Sequence, residues 1–586
     1  MDHVPKSGAS TSRGVKELES DLPREVVLSR TKGRATPNTG AADRPEVLRG
    51  RRLLLESAGA ALLVSIGLLL FGTSDLLLVG SFNDDGVYVA LGKAIAEGEG
   101  YRSIHLPGSP VHTKYPPGLP GLLALLWSIG GTLPVVVVLA QAANLLAVAG
   151  AAALSWWYGR TVLNVAALPL AVLGLGPFFL ETALHYNSLI LSEPYVLLGW
   201  FGVLAAYSWF ARQETAPDRW RAALVLGLLL AATSLFRVQG VVLIAAVLAL
   251  LAIERRGVRA WLICAAAGVV PLIAWGAIHR TLRARGPVSS HPDELSYLDW
   301  VRSQDDSLSV LGAIERVGGN IVDYAGAFAR YASGSEAFGT ILVLAFVAAT
   351  AAGVWTTRRR APTLAATILP MAAVVACWPF TQDRLALGVL PVLGLAAAAG
   401  VDAGARRLPR RTRTLAGFAL ATLAGVLALR QVEVRREALH GAETGAPPAG
   451  FSATFAGVTN SRYIESVSRW LVANARPTDR VLTEFPAGIY LHTGLRAVGS
   501  MVGGNDIAQY TFRTPGEFLA RRILEDGVSI VTLGNLSQPI ARDIATIMER
   551  CPGVLVYAGG VGDRPIPAFY RVVPDEHCLK ERILMP

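Results

Sequence analysis

The chain has 586 residues, 52% of them hydrophobic and 17% charged, with a mean hydropathy of +0.43. Soluble globular chains carry about 25% charged residues, so the balance excludes an ordinary soluble enzyme and indicates a polytopic α-helical membrane protein. The net charge of +10 does not call for nucleic acid, because the arginines are spread over short loops between apolar runs, where the positive-inside rule places them on the cytoplasmic side.

Residues 1–50 are poor in aromatics and rich in Ser, Thr, Gly, Pro and charge, and are expected to be a disordered cytoplasmic tail. The first apolar run starts near Leu53, and no small-residue cleavage site closes it, so the layout is not that of a signal peptide. Arg49, Arg51 and Arg52 precede this run and send the first span outward. A membrane region over 51–430 follows. Stretches of roughly 17–25 residues suited to crossing a bilayer fall near 53–72, 133–157, 162–182, 194–211, 219–236, 238–253, 258–279, 337–356, 362–380, 385–403 and 413–430. The even-numbered spans are followed by Arg160, Arg219 with Arg221, Arg255 with Arg256, Arg358 to Arg360, and the cluster from Arg406 to Arg413. All then lie inside, provided that 119–131 is a short re-entrant or juxtamembrane helix.

The first external loop, 82–118, is a polar interruption between hydrophobic runs. Asp84 and Asp85 are adjacent acids at the membrane edge, an expensive placement that points to function. Val87, Ala90, Leu91, Ala94 and Ile95 recur at helical spacing, with Lys93 and Glu97 paired, and Gly98 and Gly100 end this helix. Lys114 then precedes the turn Tyr115-Pro116-Pro117-Gly118, which the prolines hold extended.

Three further outer turns carry charge. Glu193 follows Ser192 at the head of one span, Arg237 separates two closely linked spans, and Arg384 follows Gln382 and Asp383. Acids beside several cations at membrane depth suit a lipid-linked phosphate leaving group and a hydroxyl that needs a base. The long external segment 280–336 contains a turn-like stretch at 289–294 and an amphipathic helix over 314–331, and is expected to act as a lid over the cavity.

Residues 431–586 have ordinary polar content and read as a small extracytoplasmic α/β domain. A helix is expected over 463–474, and strands over 481–483, 528–532, 554–557 and 569–573. Cys551 and Cys578 both lie there, where an oxidising compartment allows a disulfide, whereas Cys264 and Cys377 fall in spans as apolar packing residues. No CxxC pair, zinc-spaced His cluster, phosphate-binding P-loop or G-x-S-x-G elbow occurs.

FNDDGVYVALGKAIAEGEGY followed by HTKYPPGLPGLLALLWSIGG is similar to the first external loop of the GT-C glycosyltransferases. The similarity is to the group that holds the protein O-mannosyltransferases and the aminoarabinose transferases that modify lipid A. LSEPY, FRVQG and DRLALGVLPVL resemble later features of that group in the same order, so the resemblance covers 53–430. It implies inverting sugar transfer, in the plasma (inner) membrane, from a polyprenyl-phosphate donor to an extracytoplasmic glycan, lipid or protein. It implies that Asp84, with Asp85 beside it, is catalytic; Lys114, Tyr115, Glu193, Arg237 and Arg384 are the residues expected to bind substrate. The acids follow Asn83 and form neither a D-x-D nor an Asp-Glu pair, which leaves a divalent metal and the acceptor class open.

Plainer roles exist for each residue. Asp84, Asp85 and Glu193 could cap helices, Arg237 could snorkel, and Arg384 could pair with Asp383 in its own turn. His105 and His112 read as solvated loop residues, and Tyr88, Tyr101 and Tyr115 as interfacial anchors. A transporter or lipid-linked sugar flippase is the competing class, but it calls for inverted repeats and a mid-membrane site. A non-catalytic scaffold gives no reason for charge at several separate outer turns.

Overall fold

The computed structural model describes residues 44–286, 310–333, 336–378, 383–447, 452–500, 514–534, 538–560 and 567–585. Residues 1–43 of the expected tail, 287–309 of the expected lid and Gln382 lie outside them.

The first helix, α1 (Arg44–Phe71), contains an apolar stretch long enough to cross a bilayer. A polar turn leads to α2 (Asp84–Ala96), and Gly98 and Gly100, at φ 81° and 80°, turn the chain away. Next, α3 (Gly118–Gly130) is 13 residues long and stops at Gly131 in the left-handed conformation. At that length it is too short to span. After α4 (Leu133–Thr161), α5 (Ala167–Phe179) meets α6 (Glu181–Ser188) at a 57° bend. Pro177 stands in the last turn of α5, and extended backbone at Leu180 separates the two.

Helices α7 (Glu193–Ala211), α8 (Ala216–Phe236), α9 (Gly240–Ile253), α10 (Val258–Arg285), α11 (Val310–Ser333), α12 (Glu336–Thr357), α13 (Pro362–Ala376), α14 (Asp383–Ala405) and α15 (Arg410–Thr444) complete the apolar part. Among the described residues eight helices are long and apolar enough to cross a membrane, or nine if α5 and α6 form one span. The protein is thus multi-pass, but the expected count of about eleven is not reached by length alone. Two expected spans, α9 and α13, have only 14 and 15 residues. The expected amphipathic helix in the long external segment is present as α11.

The core gathers fully buried Trp200, Tyr158, Tyr207, Phe178 and Phe201 between α4, α5, α7 and their neighbours. Of the eight long helices α14 is the most enclosed, with 78% of its apolar stretch buried. It packs on α12 through glycines: a Cβ on Gly353 would overlap the Ala396 carbonyl, and one on Gly400 the Ala349 carbonyl. That close approach fixes the height of α14 and of Arg384 in its first turn. Cys264 is buried as expected, whereas Cys377, beyond the end of α13, is exposed.

Helix α15 runs unbroken for 35 residues, so the expected boundary at 430/431 falls inside it. No Gly or Pro stands between Gly425 and Gly441 to stop it, and Arg430 pairs forward with Glu433 at 2.6 Å. Beyond it come α16 (Ala453–Asn474), β1 (Val481–Thr483), α17 (Pro486–Thr493), β2 (Ala497–Gly499), α18 (Glu517–Asp526), β3 (Ile530–Leu533), α19 (Gln538–Arg550), β4 (Leu555–Gly560) and β5 (Ala568–Val572). The strands form one mixed sheet in the order β2-β1-β3-β5-β4, with β1 parallel to both neighbours and β5 antiparallel to both of its own. Trp470 of α16 stacks on Phe569 at 3.9 Å and joins helix to sheet. Cys551 and Cys578 are joined, with Cα atoms 5.9 Å apart.

Candidate active site

The site begins at the turn before α2. The carboxylate of Asp85 accepts the Gly80 N–H at 2.8 Å through Oδ2 and the Phe82 N–H at 3.2 Å through Oδ1. Gly80 has φ 96° and Asn83 φ 64°, a sharp path that these bonds stabilise. Burial pushes the Asp85 carboxyl up to about 6; its backbone N–H partners pull the other way, while the Asp84 charge adds to the rise.

Asp84, one residue earlier, faces different partners. The Tyr115 hydroxyl donates to its Oδ1, and Arg384 Nη1 lies 2.6 Å from Oδ2. Burial alone would raise its pKa, but the charges of Arg384 and then Lys114, with the Tyr115 hydrogen bond, outweigh burial and hold the carboxyl well below the usual range. Tyr115 is itself held firmly. Its ring lies 4.5 Å from that of Tyr88 and stacks on His112 at 5.1 Å, and its backbone N–H donates to His112 Nε2 at 3.0 Å. Lys114 Nζ stands 5.4 Å from the Tyr115 ring centre.

Arg384 extends the chain of charges. Its guanidinium lies over the Phe82 ring at 4.9 Å, and its Nε is 3.7 Å from Glu193 Oε1. The same oxygen lies 2.6 Å from Arg237 Nη1, which also donates to Ser192 Oγ at 3.2 Å. Arg237 Nε donates to Gln239 Oε1 at 3.0 Å. The Arg237–Glu193 pair is enclosed, with side chains 8% and 10% exposed. Isolated charges at such depth would be costly; alternation of carboxylate and guanidinium is what makes the depth tolerable. Beside this chain lies about 360 Å³ of empty space, open solvent included. Glu193 and Arg384 line it together with Tyr186, Asn187 and apolar walls from Pro177, Phe178, Leu197, Leu387 and Pro391.

The structure therefore brings Asp84, Arg384, Glu193 and Arg237 into one array from four separate elements, with Tyr115 and Lys114 at its Asp84 end. Glu193 does not act as a cap, and Arg384 reaches to Asp84. Other expectations are corrected. His105 and His112 are buried rather than solvated: the Ala497 N–H of the C-terminal sheet donates to the His105 carbonyl at 2.8 Å, and His279 of α10 meets the His112 carbonyl at 2.9 Å. Tyr88, Tyr101 and Tyr115 are buried in a core that the loop shares with α3, α4 and α6. Ser192, Phe82 and Asn187 were not singled out from the sequence; the first two stand next to residues that were. Glu181 was also missed. It is a buried acid just past the bend, whose Oε1 accepts from Ser452 Oγ and the Thr454 N–H at 3.1 and 3.0 Å.

Among solved structures the chain is similar to ArnT from Cupriavidus metallidurans bound to undecaprenyl phosphate. The TM-score is 0.51 at 14% identity, over 90% of this chain and 98% of that one. The apo state of the same protein gives the same values. The oligosaccharyltransferase of Archaeoglobus fulgidus, in complex with Zn and sulfate, gives 0.50 at 14% identity, over 82% of this chain and 67% of that one. No family profile matches the sequence, and no curated protein does. The likeness establishes the fold, which the chain shares with ArnT and with this oligosaccharyltransferase.

Proposed function

We propose that this chain moves a sugar from a polyprenyl-phosphate donor to an acceptor outside the plasma (inner) membrane. The observation that carries this reading is the array of Asp84, Arg384, Glu193 and Arg237 beside a cavity with apolar walls. Guanidinium forks match the oxygens of a lipid phosphate, and apolar walls suit its isoprenoid chain. The similar ArnT structure holds undecaprenyl phosphate, which supports the donor class.

In the proposed reaction the acceptor hydroxyl oxygen attacks the anomeric carbon while the bond from that carbon to the phosphate oxygen breaks. The hydroxyl proton passes to Asp84, and polyprenyl phosphate leaves with the bonding pair, neutralised by Arg384 and Arg237, with Lys114 nearby. A single displacement with one reactive carboxylate inverts the anomeric centre. In the structure both oxygens of Asp84 are engaged, so the donor phosphate must draw Arg384 away before Asp84 becomes an effective base. Asp85, bound to the loop backbone, supports Asp84 rather than meeting the acceptor.

The oligosaccharyltransferase structure contains Zn, and the sequence leaves a divalent metal open. The residues here do not fit one. Asp84 and Glu193 are both held by guanidinium groups, and no group of three or more His, Cys, Asp or Glu among the described residues is placed to hold a metal. No step is routed through a metal.

The bend between α5 and α6 is the feature a transporter would share. Its polar residue Glu181 binds Ser452 and Thr454 of the C-terminal region, however, and not a central site. The test is to supply purified protein in lipid nanodiscs with radiolabelled polyprenyl-phosphate sugar and a cell-envelope extract. Label moving from lipid to acceptor supports the reading. Intact lipid-linked sugar together with no binding of polyprenyl phosphate defeats it. Proteoliposomes that translocate uncleaved lipid-linked sugar would put the flippase in its place.

A further inference from the structure

We propose that Gly488, in the C-terminal α/β region, is a positioning residue for the reaction: it seats the turn that carries Asp84. This rests on the reading of Asp84 as the base.

Helix α17 lays its first turn on the loop through glycines. A Cβ on Gly80 would overlap the Gly488 backbone. One on Gly86 would come within 2.9 Å of Gly80 Cα and 3.1 Å of Ala487 Cβ, and one on Gly488 would stand 3.1 Å from Ile464 Cδ1, 3.2 Å from Gly80 Cα and 3.3 Å from the Val79 oxygen. Around this contact the C-terminal region takes up the loop's backbone groups in turn. Ser461 Oγ accepts the Leu78 N–H at 3.0 Å, His492 Nε2 donates to the Val79 carbonyl at 3.2 Å, and Asn460 Nδ2 donates to the Ser81 carbonyl at 2.8 Å. The Gly80 N–H goes to Asp85 at 2.8 Å.

The loop is thus fixed from outside by α16 and α17, while Asp84 reaches the other way to Arg384 and Tyr115. Gly488 acts through Gly80 and Asp85. A side chain there must push the turn by a few tenths of an ångström or more, which rotates the start of α2 and misplaces the base. Displacements approaching 1 Å near a reacting centre cost up to about 10²-fold in rate. The donor phosphate is held from α7, α14 and the α8–α9 link, and the seated turn meets these only at Arg384, through Phe82 and Asp84, so the defect should fall mainly on turnover and less on donor binding.

The experiment compares Gly488→Ala and Asn460→Ala with the unmodified chain, using polyprenyl-phosphate sugar as donor and Val472→Ala, at an exposed position of α16, as control. Three quantities are read: kcat, donor KM, and hydrogen exchange of the backbone over 78–86. Gly488→Ala is expected to lower kcat by about 3- to 10-fold with a smaller change in donor KM, and to speed exchange over 78–86. Asn460→Ala adds no atoms and should shift both in the same direction by less, with thermal stability near normal. Unchanged kcat and exchange in both variants, or a raised donor KM at unchanged kcat, overturns the seat. If the unmodified chain transfers no sugar, the functional reading fails on its own, and faster exchange over 78–86 in Gly488→Ala still decides whether the seat orders the loop.

Discussion

Arg384 Nη1 lies 2.6 Å from Asp84 Oδ2, and the two side chains are only 10% and 12% exposed. Between them they join the loop 82–118 to α14, the most enclosed of the eight long apolar helices. A carboxylate paired this closely is a poor base, and a guanidinium paired this closely is a poor anion receptor. Both become effective only when a third charged group enters, and a phosphate has the sign and geometry to displace the carboxylate from the guanidinium.

Asp84→Asn keeps the side chain's shape and removes the base. Sugar transfer is expected to fall by about 10²–10⁴-fold, while polyprenyl phosphate still binds, since Arg384 loses a competing anion. Turnover and lipid-phosphate binding, measured on the same inserted protein, check this. Transfer at the unmodified rate would remove Asp84 from the mechanism.

Arg237 and Glu193 form a buried pair at 2.6 Å, so each single replacement should destabilise more than a surface change does. Arg237→Met leaves the buried Glu193 carboxylate only its longer approach to Arg384, at 3.7 Å, and is expected to cost about 3 kcal/mol. The double replacement Arg237→Met with Glu193→Gln should recover much of that loss yet remain unable to use donor. A double-mutant cycle on thermal stability, run beside donor KM, separates the two roles. Simple additivity in stability would show that the pair is not coupled.

Arginine placement in the sequence is the basis for expecting the N-terminus in the cytoplasm and residues 431–586 outside. Val472 is 70% exposed on α16, so Val472→Cys should react with an impermeant thiol reagent in intact cells. Ser12→Cys should react only after permeabilisation. The reverse pattern would place the site on the wrong side for an external acceptor.

Much of this site was legible because a charged residue at the end of an apolar run stands out. Asp84, Glu193, Arg237 and Arg384 are each of that kind, and membrane depth leaves few reasons to keep them. Their pairing was not legible: the sequence gives no distance between Arg384 and Asp84, and the local partner Asp383 was as plausible. The buried state of His105 and His112 was hidden for a related reason. His105 is met by β2, whose Ala497 lies far along the chain, and the backbone of His112 by His279 of α10. The boundary near residue 430 misled because composition changes there while helix formation does not. β2 itself was missed, being only three residues long and backed by no clear alternation.

Asp85 should make activity and stability respond oppositely to acid. Its folded-state pKa is pushed up to about 6 by burial, against about 4 for a free carboxyl. Between those values the folded chain holds a proton that the unfolded chain has released, so stability declines as pH rises through the window and improves on acidification from 7 to 5. Asp84 contributes the other way, since its carboxyl is held far below the range; its stabilisation is intact across this window and is lost only in much stronger acid. Asp84 is the charged neighbour acting on Asp85. His492 of α17 adjoins the same turn, with its pKa lowered mainly by burial. Ionised Asp85 is what accepts the Gly80 and Phe82 N–H groups most strongly, so protonating it should loosen the turn and misplace Asp84. The expected result is a kcat that falls below about pH 6 while the thermal midpoint rises slightly over the same interval. Asp85→Asn cannot titrate and presents an amide donor to one of those N–H groups, so its kcat should be low at every pH, with no acid limb near 6. An acid limb that survives in Asp85→Asn would assign the titration to another group, and a thermal midpoint that falls together with kcat between pH 7 and 5 would show that Asp85 does not carry the linkage.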